Sequence, residues 1–253
     1  MPRSIVSCRD VSKRFANGTL ALDGATLDVE ERQFLSLLGP SGCGKSTLLR
    51  LIAGLAEPSG GTIEWDGGRE GLSFVFQEPT LMPWATALDN AILPLKLAHV
   101  ARHEREERAA AALASVGLAG FERSYPRELS GGMKMRVSIA RALVTKPRVL
   151  LMDEPFAALD EITRFKLNND LLDLWQRERF TTVFVTHSVF ESVFLSQRIA
   201  VMGPRPGRVR AEIDVSEPYP RDLAYRTSPR YNDHCRTVSD ALEKAMTLGT
   251  AHA

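Results

Sequence analysis

The chain is poor in cysteine: among 253 residues it has only Cys8, Cys43 and Cys235, which are far apart and form no C-x-x-C pair. Such spacing argues against a disulfide framework and against a structural zinc site. We therefore expect a reducing compartment, the cytoplasm.

Long apolar runs and an excess of one charge are also absent. No uninterrupted apolar stretch approaches the roughly 18 residues of a membrane-spanning helix. The first four residues do not begin the apolar core of a signal peptide. The net charge is only +1, so composition provides no electrostatic reason to expect nucleic acid as a partner. The hydrophobic content of 44% and the charged content of 25% are ordinary for a globular protein.

The pattern of apolar residues predicts an α/β fold. Strand patterns occur at 4–11, 25–29, 33–38, 61–65, 72–76, 149–152, 181–186 and 208–215. Helical patterns occur at 46–53, 103–116, 133–143, 161–179 and 231–246. The alternation of strand, helix and strand after residue 149 indicates a parallel sheet. The helix-rich segment of about 55 residues before it is expected to be an insertion into that core.

One segment has the spacing of a phosphate-binding loop, G-x-x-x-x-G-K-[ST], also called Walker A. A strand pattern precedes it and a helical pattern follows, which is the context that the motif requires. Glycines let the backbone curl around phosphate oxygens, and the helix start adds partial positive charge. We expect Lys45 to contact the outer phosphates and the Ser46 hydroxyl to bind Mg²⁺. The predicted nucleotide-binding residues of this loop are Gly39, Pro40, Ser41, Gly42, Cys43, Gly44, Lys45, Ser46 and Thr47.

Two adjacent carboxylates, Asp153 and Glu154, follow the apolar strand pattern at 149–152. Ligands of open α/β folds bind at the carboxyl ends of the strands. Asp153 is therefore placed to hold Mg²⁺, as in a Walker B motif, and Glu154 to polarise the attacking water. Solvated loop charges are the alternative, which the phosphate loop on the same chain disfavours.

Two further polar residues follow strand patterns, Gln77 after 72–76 and His187 after 181–186. The Gln77 amide is a candidate ligand of Mg²⁺ or of the attacking water. A lone histidine is more often structural, but this position favours contact of His187 with the γ-phosphate. The predicted catalytic residues are thus Glu154, His187 and Gln77, and the predicted metal ligands are Ser46, Gln77 and Asp153.

A second candidate anion site begins at Ser130, a predicted N-cap of the helical pattern at 133–143. Ser130, Gly131 and Gly132 would expose N–H groups at the start of that helix. An ordinary capped helix is the alternative. Because one nucleotide needs only one phosphate loop, we expect Ser130 and Gly132 to close over the γ-phosphate bound by another copy of the chain.

Taken together, these motifs resemble those of ATP-binding-cassette (ABC) ATPases, over residues 4–215. The resemblance implies a P-loop NTPase core with a mixed sheet, an N-terminal antiparallel β subdomain and an inserted α-helical subdomain at about 86–143. It leaves residues 216–253 as a helical tail without a separate regulatory domain.

The resemblance also implies roles for single residues. Gln77 corresponds to the Q-loop, Leu129-Ser-Gly-Gly-Met133 to the signature, Asp160 to the D-loop and His187 to the switch histidine. Met133 stands where the family most often has glutamine. Phe15 is expected to stack on adenine, with core packing as the alternative.

The partners implied are a second copy of the chain, with two ATP molecules held between the copies, and the integral membrane permease subunits. The resemblance indirectly implies a periplasmic or lipoprotein solute-binding protein. It does not imply a nucleic acid as a partner. The segment 77–84 resembles that of nitrate, sulfonate and taurine importer ATPases, which implies uptake of a small anionic solute. It also implies a peripheral position on the cytoplasmic face of the bacterial inner membrane. DNA-repair and translation ATPases, a small-molecule kinase and an exporter are the alternatives, which fit the motifs and the chain length less well.

Overall fold

The computed structural model describes residues 3–250; Met1, Pro2 and residues 251–253 of the predicted tail lie outside the described residues. The chain divides into two compact units. Unit 1 combines residues 3–70 with residues 179–250, and unit 2 is Gly71–Glu178.

The elements follow one another along the chain in an α/β order. The strands are β1 (Ser4–Arg14), β2 (Leu20–Glu30), β3 (Phe34–Leu38), β4 (Gly60–Trp65), β5 (Leu72–Val75), β6 (Val149–Asp153), β7 (Thr181–Thr186), β8 (Arg198–Met202) and β9 (Val209–Asp214). The helices are α1 (Lys45–Ile52), α2 (Ala87–Leu97), α3 (Arg102–Ser115), α4 (Gly131–Leu143), α5 (Glu161–Glu178), α6 (Val189–Leu195), α7 (Leu223–Arg226) and α8 (Pro229–Thr250). A 3₁₀ turn at Pro126–Glu128 precedes α4.

Unit 1 contains an antiparallel sheet in the order β2-β1-β4. One face of β2 buries Ala25, Leu27 and Val29, and residues between them are more exposed. This alternation is expected of a sheet with one face on the core. Strand β1 ends later and strand β2 begins earlier than predicted, because the two strands remain paired up to Arg14 and Leu20, next to the hairpin turn.

A second sheet of unit 1 is mixed, with the order β7-β3-β8-β9. Strand β3 is parallel to β7 and β8, and β9 is antiparallel to β8. Every residue of β3 and β7 is buried. Burial on both faces explains why β3 is an almost continuous apolar run, whereas β7 also buries three threonines. The C-terminal helix α8 contacts α6, β8 and β9.

Unit 2 combines a parallel strand pair, β5 and β6, with four helices. Helices α2, α3 and α4 contact one another, and α5 contacts α4. The buried Asn90 of α2 connects this helix to the segment before it, because its amide nitrogen donates to the carbonyl oxygens of Met82, Ala85 and Thr86.

The structure confirms the predicted α/β fold, with the mixed sheet and the antiparallel N-terminal sheet. It also confirms each predicted strand and helix to within a few residues. Four elements were not predicted individually: α2, α6, α7 and β8. Helix α2 contains Pro94, which disfavours a helix interior, and helices α6 and α7 have only seven and four residues. Among the described residues, no helix is both long and apolar enough to cross a membrane.

Candidate functional site

The phosphate-loop segment of unit 1 joins the buried strand β3 to α1. Gly42 and Gly44 have φ angles of 75° and 108°, in the left-handed region that favours glycine. A Cβ on Gly44 would also lie 2.8 Å from the carbonyl oxygen of Ala21. Gly44 is the N-cap of α1, and no side chain caps this helix start, where the helix dipole places partial positive charge. This geometry suits an anion such as phosphate.

Lys45 is buried at the start of α1. Its Nζ donates to the carbonyl oxygens of Gly39 at 2.8 Å and of Pro40 at 2.9 Å. These bonds satisfy a charge that would otherwise be costly to bury, and they join the two ends of the loop.

The other predicted residues of the loop differ in accessibility. Ser41 and Gly42 are exposed, and Ser46 and Thr47 are half-buried in the first turn of α1. Cys43 is only 1% exposed. Its thiol is therefore largely closed off from solvent, and its backbone N–H donates to the carbonyl oxygen of Pro40 at 3.4 Å.

The turn between β8 and β9 packs against the phosphate loop. The sequence did not predict this contact. The guanidinium of Arg205 donates to the carbonyl oxygen of Gly42, with Nε at 3.2 Å and Nη2 at 3.1 Å. Gly207 approaches so closely that a Cβ there would lie 2.1 Å from the carbonyl oxygen of Cys43. The only sequence signal is the Pro-Arg-Pro-Gly composition of the turn, which predicts a turn but not its partner.

His187 lies at the same sheet edge as the phosphate loop. In the parallel pair of β3 and β7, Leu38 is in register with Thr186. Gly39 and His187 directly follow these two residues, so both are at the carboxyl ends of adjacent strands. His187 is exposed. The structure thus brings together two site elements of unit 1 that the sequence predicted separately.

Phe15 lies at the hairpin turn between β1 and β2. Its ring is 44% exposed, which excludes it from the core, and Lys13 Nζ is 5.7 Å from the ring centroid. Strand β2 continues from this turn to Ala21, whose carbonyl oxygen approaches Gly44. An accessible aromatic ring is therefore available on the strand pair that borders the phosphate loop.

The predicted acidic pair of unit 2 lies at the end of β6. Asp153 is the buried last residue of this strand. Glu154 has a φ of 44°, a left-handed conformation that costs a non-glycine residue on the order of 1 kcal/mol. Its carbonyl oxygen accepts a hydrogen bond from the Ala157 N–H at 3.2 Å, which closes a tight turn. Such strain is found preferentially at functional positions.

Gln77 lies at the corresponding edge of β5. Val75 is in register with Met152, the residue before Asp153, and Gln77 is exposed two residues after Val75. The predicted amide and the predicted carboxylates therefore occupy the same end of the parallel strand pair in unit 2.

Arg141 of α4 holds the segment that follows Gln77. Its Nη1 donates to the carbonyl oxygen of Thr80 and its Nη2 to that of Pro79, both at 2.9 Å. Burial lowers the pKa of the Arg141 guanidinium from its ordinary value. The sequence around Arg141 does not indicate this role, because the residue lies within a helical pattern without any local motif.

The predicted signature residues form the start of α4. Ser130 is the N-cap, and its Oγ accepts from the Met133 N–H at 3.2 Å. Gly132 lies so close to the start of α5 that a Cβ there would be 2.7 Å from Cγ2 of Thr163. A Cβ on Gly131 would be 3.4 Å from Cδ2 of Leu159. Gly132 therefore has a packing role as well as a place at a helix start, whereas a Cβ on Gly131 would make an ordinary contact.

Asp160, the predicted D-loop residue, accepts a hydrogen bond from the Thr163 N–H at 2.9 Å at the start of α5. Hydrogen bonds from the side chain and the backbone of Thr163 lower the pKa of the Asp160 carboxyl. The start of α5 is thus ordered next to the start of α4, within unit 2.

A glycine-rich loop that connects a buried parallel strand to a helix, with a lysine bonded across the loop, defines a P-loop NTPase. Residues 22–157 match the family model described as ABC transporter. The chain belongs to the ABC transporter family, and it is an ATPase of that family.

Similar proteins include two import ATPases. The taurine import ATP-binding protein of Rhizobium johnstonii is 47% identical, over 80% of this chain and 79% of its own. The aliphatic sulfonates import ATP-binding protein of Bacillus cereus is 41% identical, over 97% and 99%. A solved dimeric structure of the ATP-binding cassette MJ0796, in a post-hydrolysis state with ADP and phosphate, has a TM-score of 0.75 and 33% identity. The similarity to that structure covers 84% of this chain and 100% of the other.

Proposed function

We propose that this ATPase energises the uptake of a small anionic solute, of the nitrate, sulfonate or taurine type, through a separate permease in the bacterial inner membrane. The observation that carries the proposal is the similarity, over most of both chains, to proteins named as taurine and aliphatic sulfonate import ATPases. On this proposal the chain is a peripheral protein of the cytoplasmic face, and a solute-binding protein delivers the solute to the permease.

In unit 1, the proposed nucleotide-binding residues are those of the phosphate loop, 39–47, together with Phe15. The buried Lys45 and the left-handed glycines support the role of the loop, because they shape it around the start of α1. The exposed ring of Phe15 supports stacking on adenine. His187 would contact the γ-phosphate from the adjacent strand end.

In unit 2, Glu154 would act as the general base that orients the attacking water, with Gln77 beside it at the strand ends. Ser46 of unit 1, and Gln77 and Asp153 of unit 2, are each proposed as a ligand of Mg²⁺. Their hydroxyl, amide and carboxylate oxygens are of the type that this ion prefers, and Mg²⁺ in nucleotide sites usually takes few protein ligands. When bound, the ion would neutralise charge on the transferred phosphoryl group.

Ser130, Gly131, Gly132 and Asp160 are proposed to act on the ATP held by a second copy of the chain. The dimeric arrangement of the similar cassette supports this assignment. In this chain, the cap formed by Ser130 orders the start of α4, where backbone N–H groups can meet an anion.

Exposed apolar side chains of unit 2 are the proposed docking surface for the permease. Trp84 is 76% exposed, and Phe76 and Leu97 are also exposed. Phe76 and Leu97 line a cavity of about 440 Å³ together with Leu93 and Pro94. Large exposed apolar groups of this kind are typical of interaction surfaces.

The Glu154→Gln variant tests the ATPase and dimer assignments. We expect ATP binding to persist while hydrolysis is lost, so that an ATP-bound dimer accumulates and is detected by light scattering. Lys45→Ala is the control, since it should remain monomeric because it does not bind ATP. A Glu154→Gln chain that stays monomeric with ATP and Mg²⁺, or that retains turnover, would contradict the assignment.

Growth of a strain that lacks this protein tests the solute class. The strain should fail to use taurine or alkanesulfonates as the sole sulfur source, or nitrate as the sole nitrogen source, while it grows normally on sulfate and ammonium. The wild-type protein should restore growth, and neither Glu154→Gln nor Trp84→Ser should. Normal growth on all of these sources would refute the proposed solutes and leave the ATPase assignment intact.

A further inference from the structure

Arg221, in the segment between β9 and α7, is a charged residue for which the proposed ATPase cycle gives no role. It is only 4% exposed, and its guanidinium donates to backbone carbonyl oxygens alone. Those acceptors belong to Val193, Phe194, Ser196, Val215 and Glu217, at distances between 2.8 and 3.3 Å. The Arg221 guanidinium therefore holds the segments 193–196 and 215–217 together. Removing it would leave several buried carbonyl oxygens without a hydrogen-bond donor, which is energetically costly.

Three of these acceptors are at the C-terminal end of α6. Nη1 of Arg221 donates to Val193 at 2.9 Å, to Phe194 at 3.1 Å and to Ser196 at 2.8 Å. The last carbonyl groups of any helix have no partner within the helix and carry partial negative charge. Helix α6 has only seven residues, which is too short for a helix to be stable by itself. Its stability must therefore come from tertiary contacts such as these.

Tyrosines of the same segment extend the contact along α6. The Tyr219 hydroxyl donates to the carbonyl oxygen of Leu195 at 2.8 Å, and the Tyr231 hydroxyl donates to that of Phe190 at 2.9 Å. The rings of Tyr219 and Tyr225 also lie 4.4 and 5.6 Å from the guanidinium of Arg221, within the range of cation–π attraction. We call residues 217–231 the C-terminal clamp.

The opposite end of α6 connects directly to His187. Ser188 is the N-cap of α6 and accepts from the Glu191 N–H at 3.3 Å. Thr186 donates to the buried carboxylate of Glu191 at 2.5 Å and accepts from the Ser188 N–H at 3.0 Å. His187 thus lies between two residues that are both bonded to the start of α6, so a displacement of α6 would shift its backbone.

We propose that the C-terminal clamp holds His187 in place through α6, with Arg221 as the positioning residue. The inference rests on the proposed function, in which His187 contacts the γ-phosphate. The C-terminal clamp would then contribute to ATP hydrolysis, although it carries none of the nucleotide-binding motifs.

The first experiment compares Arg221→Met with Arg230→Met. Arg230 is an exposed arginine of the clamp whose contact is with Glu217 and not with α6. We expect kcat for ATP to fall about tenfold in Arg221→Met, while KM changes less than about twofold because the phosphate loop is untouched. Arg221→Lys should recover part of the kcat, and Arg230→Met should match the wild type. An unchanged kcat in Arg221→Met would overturn the proposal.

A double-mutant cycle with His187→Ala separates positioning from a general loss of stability. If Arg221 acts through His187, Arg221→Met should cause no further loss of kcat in the His187→Ala background. An equal further loss there would overturn the inference and leave the role of His187 intact. Wild-type turnover of His187→Ala would instead refute the proposed role of His187, and the inference with it.

Tyr231→Phe provides a milder variant in case Arg221→Met does not fold. It removes one hydroxyl that contacts the first turn of α6 and leaves the ring in place. We expect kcat to fall about twofold or more with unchanged KM, again only when His187 is present. Equal kcat values for Tyr231→Phe and the wild type would overturn the extension of the clamp along α6.

Discussion

The two compact units hold their functional segments in different ways. In unit 1, close backbone approach holds the phosphate loop in addition to the side-chain bonds of Lys45 and Arg205: Gly207 lies against Cys43, and Gly44 lies against Ala21. In unit 2, side chains hold the corresponding segments: Arg141 binds the chain after Gln77, and Ser130 caps α4. We therefore expect that adding a Cβ at a glycine next to the phosphate loop lowers the stability of unit 1 most. In unit 2, we expect the largest loss of stability when a side chain that holds such a segment is truncated.

Gly207→Ala should have the largest effect among changes that test this comparison. The new Cβ would meet a backbone carbonyl at 2.1 Å, which only a shift of the phosphate loop or of the turn can relieve. We expect a loss of about 3 kcal/mol in the free energy of unfolding and weak ATP binding, measured by denaturant titration and by calorimetry.

Gly60→Ala is the matched control in unit 1, because the nearest atom to its Cβ would be Ser12 Cβ at an ordinary 3.9 Å. Its ATP affinity should equal that of the wild type. If Gly207→Ala also bound ATP normally, the support of the phosphate loop by the β8–β9 turn would be disproved.

Arg141→Met should have the second largest effect, in unit 2. The change removes the charged donors to the carbonyl oxygens of Pro79 and Thr80 and keeps the aliphatic length of the side chain. We expect a loss of about 2 kcal/mol in the free energy of unfolding and a lower ATP turnover. Arg102→Met is the control, since Arg102 makes an exposed ion pair with Glu106 in α3. Equal unfolding free energies for the two variants would show that Arg141 does not hold this segment.

Gly132→Ala should have the smallest effect of the three. Its Cβ would meet the Cγ2 methyl of Thr163 at 2.7 Å, and a side-chain methyl can move where a backbone carbonyl cannot. We expect a loss of about 1 kcal/mol in the free energy of unfolding. Thr163→Ser removes this methyl and keeps the hydroxyl, so the double variant should regain most of the loss. A double variant no more stable than Gly132→Ala would place the cause elsewhere.

Local sequence patterns were sufficient to predict most of the strands and helices. They were also sufficient to predict at which strand or helix end each candidate site residue lies. A buried strand, a glycine-rich turn and a helix follow one another between residues 34 and 52, so the phosphate loop needs no distant information. The same holds for Asp153 and His187, each of which lies at or just after the end of a buried strand. Strand β8 and helix α6 were not predicted, whereas β3 and β6, which are as short as β8, were predicted because each leads directly into a recognisable motif.

The sequence by itself determined the class of protein, the phosphate loop and the strand ends at which its polar residues lie, because these depend on residues close together in the chain. Only the tertiary structure decided what holds them. Arg205 and Gly42 are 163 positions apart, and Arg221 is 28 positions from Val193. Such pairs leave no periodic trace in a single sequence, since each partner looks locally like an ordinary turn or helix residue. Their contact exists only after the intervening strands have paired and brought the two segments together.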